Sequence, residues 1–421
     1  MKSKAIVAGL ILQFYSISSY AYLDPASSSA LLASSGSIIF ILIIIFTNLI
    51  KFILGAFYLF NSKINIFYKW DLVVHIEYSG YYSSFERYLE INKNISMLLI
   101  CPEGLYFELR KKTLLYKNVK ICNANTLFIQ SSVISIVRAN FLITSTPGIG
   151  TRYFNKTDRI KRTAFMTHSA SDVHSYNLIS FDHFDVIYCP NEIIKNNIIT
   201  ILNKRGNFSI PKIYVVSLQY FVYLKNAGLY SKFQKLEKNS LLLAPSWGQS
   251  SFLTIADNNM LNAIVLLAKK LSLKLIFRPH PQSIASKEFA YLNAHSIFQQ
   301  SNVDYELDLS DMPFEALGTA KLLLSDFSSI IYDYNFISEK PMTICYFNES
   351  CDSALPKEDI FMNIKSLEYS SYSENVIFCQ DYLSLYESIN KFDLFHPCRR
   401  INVEDLFLHD SADYLLNVNN V

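Results

Sequence analysis

Apolar and polar positions alternate along this chain in two distinct regimes. The N-terminal part carries two long uncharged runs, Ala5–Leu23 and Ala30–Ile50, the second mostly Ile, Leu, Phe and Ala. From Asp71 onward, short β-type runs are separated by segments with helical spacing. The runs are Asp71–Ile76, Ile95–Ile100, Val119–Ile121, Phe141–Thr146, Phe184–Tyr188, Lys212–Val216, Leu241–Leu243, Leu273–Phe277 and Leu322–Leu324. Helices are expected between them, for instance over Leu127–Val137, from Asn191 to Leu202, and over Ile255–Lys270, with a connector over Leu218–Leu229. Strand and helix in alternation predict an α/β protein with parallel sheets. The expected organisation is an anchor region (1–70), a first α/β domain (71–215) and a second (216–421) ending in helices over Gln380–Lys391 and Asp405–Asn420.

The N-terminal runs change the picture from soluble to membrane-attached. About 20 apolar residues cross a hydrocarbon core of about 30 Å, so residues 30–50 suffice and residues 5–23 just do. Lys2 and Lys4 precede the first run and small residues follow it, a signal-like form that leaves open whether it is cleaved or retained. Lys51, Lys63 and Lys69 follow the second run closely, which predicts that the large C-terminal part lies in the cytoplasm. The aromatic and lysine mixture of Lys51–Trp70 predicts a stretch lying in the membrane interface. Burial of both runs inside a soluble domain is the alternative.

Composition narrows the function classes. A net charge of +2 over 421 residues gives no argument for nucleic-acid binding. The mean hydropathy of +0.18 is high for a soluble enzyme, and part of the excess comes from the N-terminal runs. Seven cysteines without a metal-type pair read as free thiols of a reducing compartment. No GxGxxG fingerprint is present.

Polar clusters at the ends of β-type runs carry the candidate chemistry, as ligand groups do in α/β sheets. After Leu241–Leu243 come Ser246, Gly248, Ser250 and Ser251, a turn whose backbone donors suit an anion, although a helix-capping serine explains Ser250 or Ser251 equally well. Leu273–Phe277 runs into Arg278, Pro279, His280 and Pro281: the prolines stiffen the backbone around the ring, and the guanidinium fork matches phosphate oxygens. Leu322–Leu324 leads to Asp326, Ser328 and Ser329 at the start of a helix, where hydroxyls meet a phosphate at the positive end and the acid orders the loop or contacts the ligand. In the first half, His168 follows a short apolar run and is near Asp172 and His174. A histidine there suits proton abstraction from a hydroxyl, against the alternative of a satisfied loop histidine.

Together the APSWG, RPHP and SDFSSIIYDYNF…KP segments, with THSASDVHSYN, resemble the CDP-glycerol glycerophosphotransferase family of teichoic acid and capsule polymerases. The AYLDPASS turn at Ala21–Ser28 looks like the AYLDPGTGS element of envelope-polysaccharide proteins, with Ala26 where glycine is usual. The resemblance covers roughly residues 71–347. It implies a GT-B fold, two Rossmann-like domains with parallel sheets facing a cleft, with no cofactor and no metal. It implies that His168 is the general base, although the family often has glycine where Ser169 stands, and that His280 contacts the donor phosphates. By the same resemblance Ser328 and Ser329 form the hydroxyl pair at the phosphate-binding helix. The implied reaction is attack of a hydroxyl of a lipid-linked or polymeric glycan on the β-phosphorus of CDP-glycerol, with loss of CMP. The competing readings are a ribitol-phosphate transferase, a GT-B glycosyltransferase using a nucleotide sugar, and a catalytically idle membrane-anchored scaffold.

Overall fold

The computed structural model describes residues 37–113, 118–148, 157–168, 173, 179–205, 210–248, 251–310, 312–326, 328–337, 342–345 and 376–379. The apolar run 5–23 and the expected C-terminal helices lie outside these residues.

A single helix α1 (Ser37–Asn61) opens the described chain. The helix continues for a further three turns past Ile50, where the sequence divides a span from an interfacial stretch, and Lys69 and Trp70 already belong to strand β1 (Lys69–His75). This lower part docks on the first domain at Gly55. Its missing Cβ lets the helix come so close to α4 (Leu127–Ile136) that a Cβ would stand 2.4 Å from the carbonyl oxygen of Ser132. Leu59 and Ile64 are buried in the same core as Trp70, Ile136 and Val137. By length and composition, Ile44–Asn61 is able to cross a membrane.

The first sheet contains β1, β2 (Met97–Cys101), β3 (Val119–Asn123), β4 (Arg138–Thr144), β5 (Ile160–Met166), β6 (Val186–Cys189) and β7 (Lys212–Val215) in the order β3-β2-β1-β4-β5-β6-β7. Helices α2 (Tyr82–Ile91), α3 (Glu103–Thr113), α4 and α5 (Glu192–Arg205) connect them. All pairings in this sheet are parallel. Continuous apolar strands such as Leu72, Val73 and Val74, fully buried, are what a sheet covered on both faces requires.

Two short helices, α6 (Gln219–Asn226) and α7 (Leu229–Gln234), lead to the second sheet. Gly228, at φ +66°, breaks the expected single connector into these two. The second sheet holds β8 (Ser240–Leu243), β9 (Lys274–Phe277), β10 (Tyr305–Leu307), β11 (Ala320–Ser325), β12 (Met342–Cys345) and β13 (Val376–Cys379) in the order β10-β9-β8-β11-β12-β13, again parallel. Its helices are α8 (Phe252–Ile255), α9 (Asn258–Lys270), α10 (Pro281–Ser286), α11 (Phe289–Gln300), α12 (Phe314–Thr319) and α13 (Ile330–Ile337). One apolar core runs through both sheets by way of Phe221, Leu224, Phe233, Phe314 and Leu317.

In each sheet the strand order reverses beside the first strand, between β1 and β4 and between β8 and β11. Such switch points open a crevice at the carboxyl ends of the strands. The polar clusters described next sit on the loops that leave those ends.

Candidate active site

On the first sheet the site begins with a buried network. His75, the last residue of β1, pairs its Nδ1 with Thr144 Oγ1 and its Nε2 with Gln130 Oε1, both at 2.8 Å. The Gln130 amide donates to the carbonyls of Glu77 and Ala124, which fixes Oε1 as the acceptor and therefore the His75 tautomer as Nε2–H. Burial pushes the His75 pKa down to about 4, so the ring is neutral. Thr146 donates its backbone N–H to Thr144 Oγ1 (3.0 Å) and its hydroxyl to Glu77 Oε2 (2.5 Å). Desolvation raises the Glu77 pKa, and its hydrogen bonds with Thr146 and Tyr78 oppose the rise.

His168 follows β5, beside β4, and its ring lies 4.0 Å from that of Tyr81, tilted by 32°. Tyr81 is held in turn by an edge contact with Tyr78 (5.4 Å, 87°). Desolvation lowers the His168 pKa to about 4, with the Ser145 backbone acting in the opposite sense. Its Nδ1 has no hydrogen-bond partner among the described residues. Asp172 and His174 lie outside the described residues.

On the second sheet, His280 caps α10: its Nδ1 accepts the Gln282 backbone N–H at 3.1 Å, and Pro281 occupies the first helical position. With Nδ1 an acceptor, the neutral ring carries its proton on Nε2, leaving an N–H donor. Desolvation, then a positive charge on His168, then Arg278 lower the His280 pKa to about 4. The two histidines thus come from different sheets and are electrostatic neighbours. The Gln282 side-chain amide donates to the Tyr78 hydroxyl across the same gap. Trp247 lies 6.0 Å from His280, nearly parallel to it, and is 52 % exposed.

Asp326 joins the two switch-point loops of this sheet. Its Oδ1 accepts the Ser246 N–H at 2.7 Å, and its Oδ2 accepts the Ser246 hydroxyl at 2.8 Å and the Phe252 N–H at 2.7 Å. The carboxylate is buried, and desolvation raises its pKa against these bonds. Asp326 therefore orders the loop, the alternative that the sequence left open.

Ser251 is 1 % exposed and accepts the Thr254 N–H as the N-cap of α8, so capping describes it. Gly248 takes φ +87°, a left-handed conformation that suits glycine. Ser250 lies outside the described residues.

Arg278 is turned away from the loops of β8 and β11. It pairs with Asp308 Oδ2 (2.7 Å) and donates to the hydroxyl (3.0 Å) and carbonyl (2.8 Å) of Ser310, with only 11 % of its side chain exposed. Ser328 and Ser329 are half-buried at the start of α13, where the Ser328 N–H returns to the Asp326 carbonyl. Their hydroxyls have no hydrogen bond among the described residues. Of the sequence candidates, His168 and His280 come together, and Ser246, Gly248, Asp326, Ser328 and Ser329 form the adjoining loops. Sequence reasoning missed Glu77, Tyr78, Tyr81 and Trp247. The dense aromatic and polar EYSGYY loop directly after the first domain strand was the available signal for three of them.

Among the described residues, no group of three or more His, Cys, Asp or Glu could hold a metal ion. What the arrangement offers is two histidines from different sheets within electrostatic reach of each other, one with a ring nitrogen unpartnered among the described residues and one with an N–H donor on Nε2, with the Ser328 and Ser329 hydroxyls at a helix start of the second sheet.

The chain matches no protein-family model and no curated protein. Among solved structures it is similar to UDP-GlcNAc 2-epimerase of Methanocaldococcus jannaschii in complex with UDP-GlcNAc and UDP. That similarity has 14 % identity and a TM-score of 0.52, over 83 % of this chain and 98 % of the other. It is also similar to a variant of the wall teichoic acid polymerase TagF, at 14 % identity and a TM-score of 0.48, over 87 % and 91 % of the two chains. At these identities the likeness concerns the fold: two parallel sheets, each flanked by helices and facing a cleft, make this a GT-B-like α/β protein, with one N-terminal apolar helix among the described residues.

Proposed function

We propose that this chain is a transferase that moves glycerol phosphate from CDP-glycerol to a hydroxyl of a lipid-linked or polymeric envelope glycan and releases CMP. The observation that carries the reading is that two histidines from different sheets come within electrostatic reach of each other, one with a ring nitrogen unpartnered among the described residues and the other with its proton held on Nε2. The motif resemblance supplies the donor class. A protein of this fold in complex with UDP-GlcNAc and UDP supports a nucleotide in the cleft by analogy of fold.

In this mechanism His168 takes the proton of the attacking hydroxyl. The hydroxyl oxygen forms a bond to the β-phosphorus, and the bond from that phosphorus to the bridging oxygen of CMP breaks. His280 Nε2–H, the amides at the start of α13 and the Ser328 and Ser329 hydroxyls stabilise the charge on the leaving phosphate. A bound anionic donor raises the pKa of both histidines, which brings His168 closer to the value a general base needs. No metal and no cofactor takes part, and the enzyme acts at the cytoplasmic face of a bacterial inner membrane.

A nucleotide-sugar transferase is the second reading, favoured by the epimerase likeness. Purified protein is incubated with CDP-glycerol, CDP-ribitol and UDP-, GDP- and CDP-sugars, with and without lipid-linked acceptor, and nucleotide release is measured. Acceptor-dependent CMP release from CDP-glycerol is expected. Release from a nucleotide sugar, with none from either alditol donor, overturns the reading.

A further inference from the structure

We infer that the outward face of α1 is a bilayer-contacting surface along the docked part of the helix as well as upstream of it, and that the bilayer meets the protein on the side of the catalytic cleft. The inference does not depend on which group is transferred.

The face is defined by what the helix leaves uncovered. Upstream of α4, Ile44, Ile45 and Phe46 are 45–57 % exposed on every side of the helix; along the docked part Gly55 and Leu59 turn inward to α4 and the core, while Leu49, Phe52, Ile53, Phe57 and Phe60 are each 45–80 % exposed. The latter positions recur at three- and four-residue steps, one face of a helix. A contiguous apolar strip of this kind marks an interaction surface. Lipid is the occupant favoured by continuity: the strip prolongs the uncharged run that begins at Ala30, and a second uncharged run, Ala5–Leu23, stands further upstream in the chain. The only charged residue between Ala30 and Asn61 is Lys51, and its Nζ is turned inward to Ser131 Oγ (3.4 Å) and over the Phe128 ring (5.8 Å), off the exposed strip.

The direction follows from the packing. Lys51 meets Phe128 and Ser131, and Gly55 meets Ser132 and Ile136, so α1 and α4 run in the same sense. Because α4 leads from the end of β3 to the start of β4, it runs from the catalytic edge of the sheet towards the opposite edge. Residues upstream of Lys51 therefore extend past the catalytic edge, and Ser37 lies roughly 20 Å further along the axis at 1.5 Å per residue. A membrane holding those residues lies on the side from which Tyr81 and His168 are approached. A lipid-linked acceptor would then reach the cleft without leaving the bilayer surface.

The test uses full-length protein in phosphatidylcholine–phosphatidylglycerol vesicles. Single cysteines at Leu49, Ile53 and Phe57, with Leu266 on α9 as an exposed control, are labelled with an environment-sensitive dye after replacement of the accessible native cysteines. Lipids brominated in the acyl chain should quench the first three several-fold more than the control. Quenching equal to the control at 53 and 57 overturns the docked-face claim. So does a blue shift that depends on protein concentration without lipid quenching, which would assign the face to a second copy. For the direction, the two tryptophans serve: Trp247 at the cleft, read in W70F, and Trp70 at the start of β1, read in W247F. Energy transfer to a headgroup-labelled lipid should be stronger from Trp247. Equal or stronger transfer from Trp70 overturns the placement of the bilayer.

Discussion

Replacing Asp326 by asparagine tests whether one buried carboxylate holds the switch-point loops of the second sheet together, the proposed donor side of the cleft. If the asparagine carbonyl takes the place of Oδ2, it keeps the bonds from the Ser246 hydroxyl and the Phe252 N–H, and its amide nitrogen then faces the Ser246 N–H, donor against donor. The change removes a hydrogen bond to a charged acceptor and orphans a buried donor, about 1.5–3 kcal/mol. Part of this is returned, because the neutral amide avoids the desolvation that raises the Asp326 pKa. A net cost of about 2 kcal/mol corresponds to roughly 30-fold more frequent local opening. Because the chain has two domains, the quantity to measure is local: hydrogen exchange of a peptide covering residues 244–254, with KM for the donor measured in parallel. The expected result is exchange about 30-fold faster in that peptide, unchanged exchange in the β1–β4 region, and a raised donor KM. Protection within about threefold of wild type, with donor KM unaltered, would refute the assignment.

Three further outcomes follow from the same structure. Both candidate catalytic histidines have pKa values near 4 in the free protein, so kcat/KM should hold as pH falls through 6 and drop only towards about 4, while the acid limb of kcat lies higher because bound donor phosphates favour the imidazolium; a kcat/KM limb at the ordinary histidine value of about 6.5 contradicts this. Burial lowers the pKa of His75 in the folded state only, so between about 6.5 and about 4 the unfolded chain binds more protons and stability falls with falling pH by on the order of 3 kcal/mol; His75→Gln should flatten denaturation curves over that window, and an unchanged pH slope contradicts the assignment. Gly55→Leu should separate α1 from α4, lowering the thermal midpoint and speeding exchange across 127–136, whereas Phe57→Leu on the outward face should leave both unchanged.

Much of the fold can be read from the sequence because interior parallel strands are short, continuous apolar runs. Leu241–Leu243, Leu273–Phe277 and Lys212–Val216 each match an observed strand to within one residue. The ends of such runs also place Ser246, His280 and Asp326 on loops at the carboxyl edge of the second sheet, while Arg278 and Asp326, at the same ends, have structural partners. Three features were hidden for physical reasons. The lower part of α1 mixes Lys, Phe and Tyr as an interfacial stretch does, and only the close approach permitted by Gly55 makes it a docked helix. Arg278 has the composition of a phosphate ligand, but its partner Asp308 is thirty residues away in the chain, so the ion pair has no local signature. The contribution of Tyr81 and Trp247 depends on ring geometry with His168 and His280 that no spacing rule encodes.

The central claim is that His168, on one sheet, serves as base for a donor held by the loops of the other. Its most direct test is single-turnover CMP formation from CDP-glycerol with lipid-linked acceptor by wild type and His168→Asn, alongside equilibrium binding of CDP-glycerol to each. The predicted result is donor affinity within about threefold of wild type and CMP formation reduced by 10²–10⁴-fold, the range for loss of a general base. CMP formation by the variant at the wild-type rate would contradict the account.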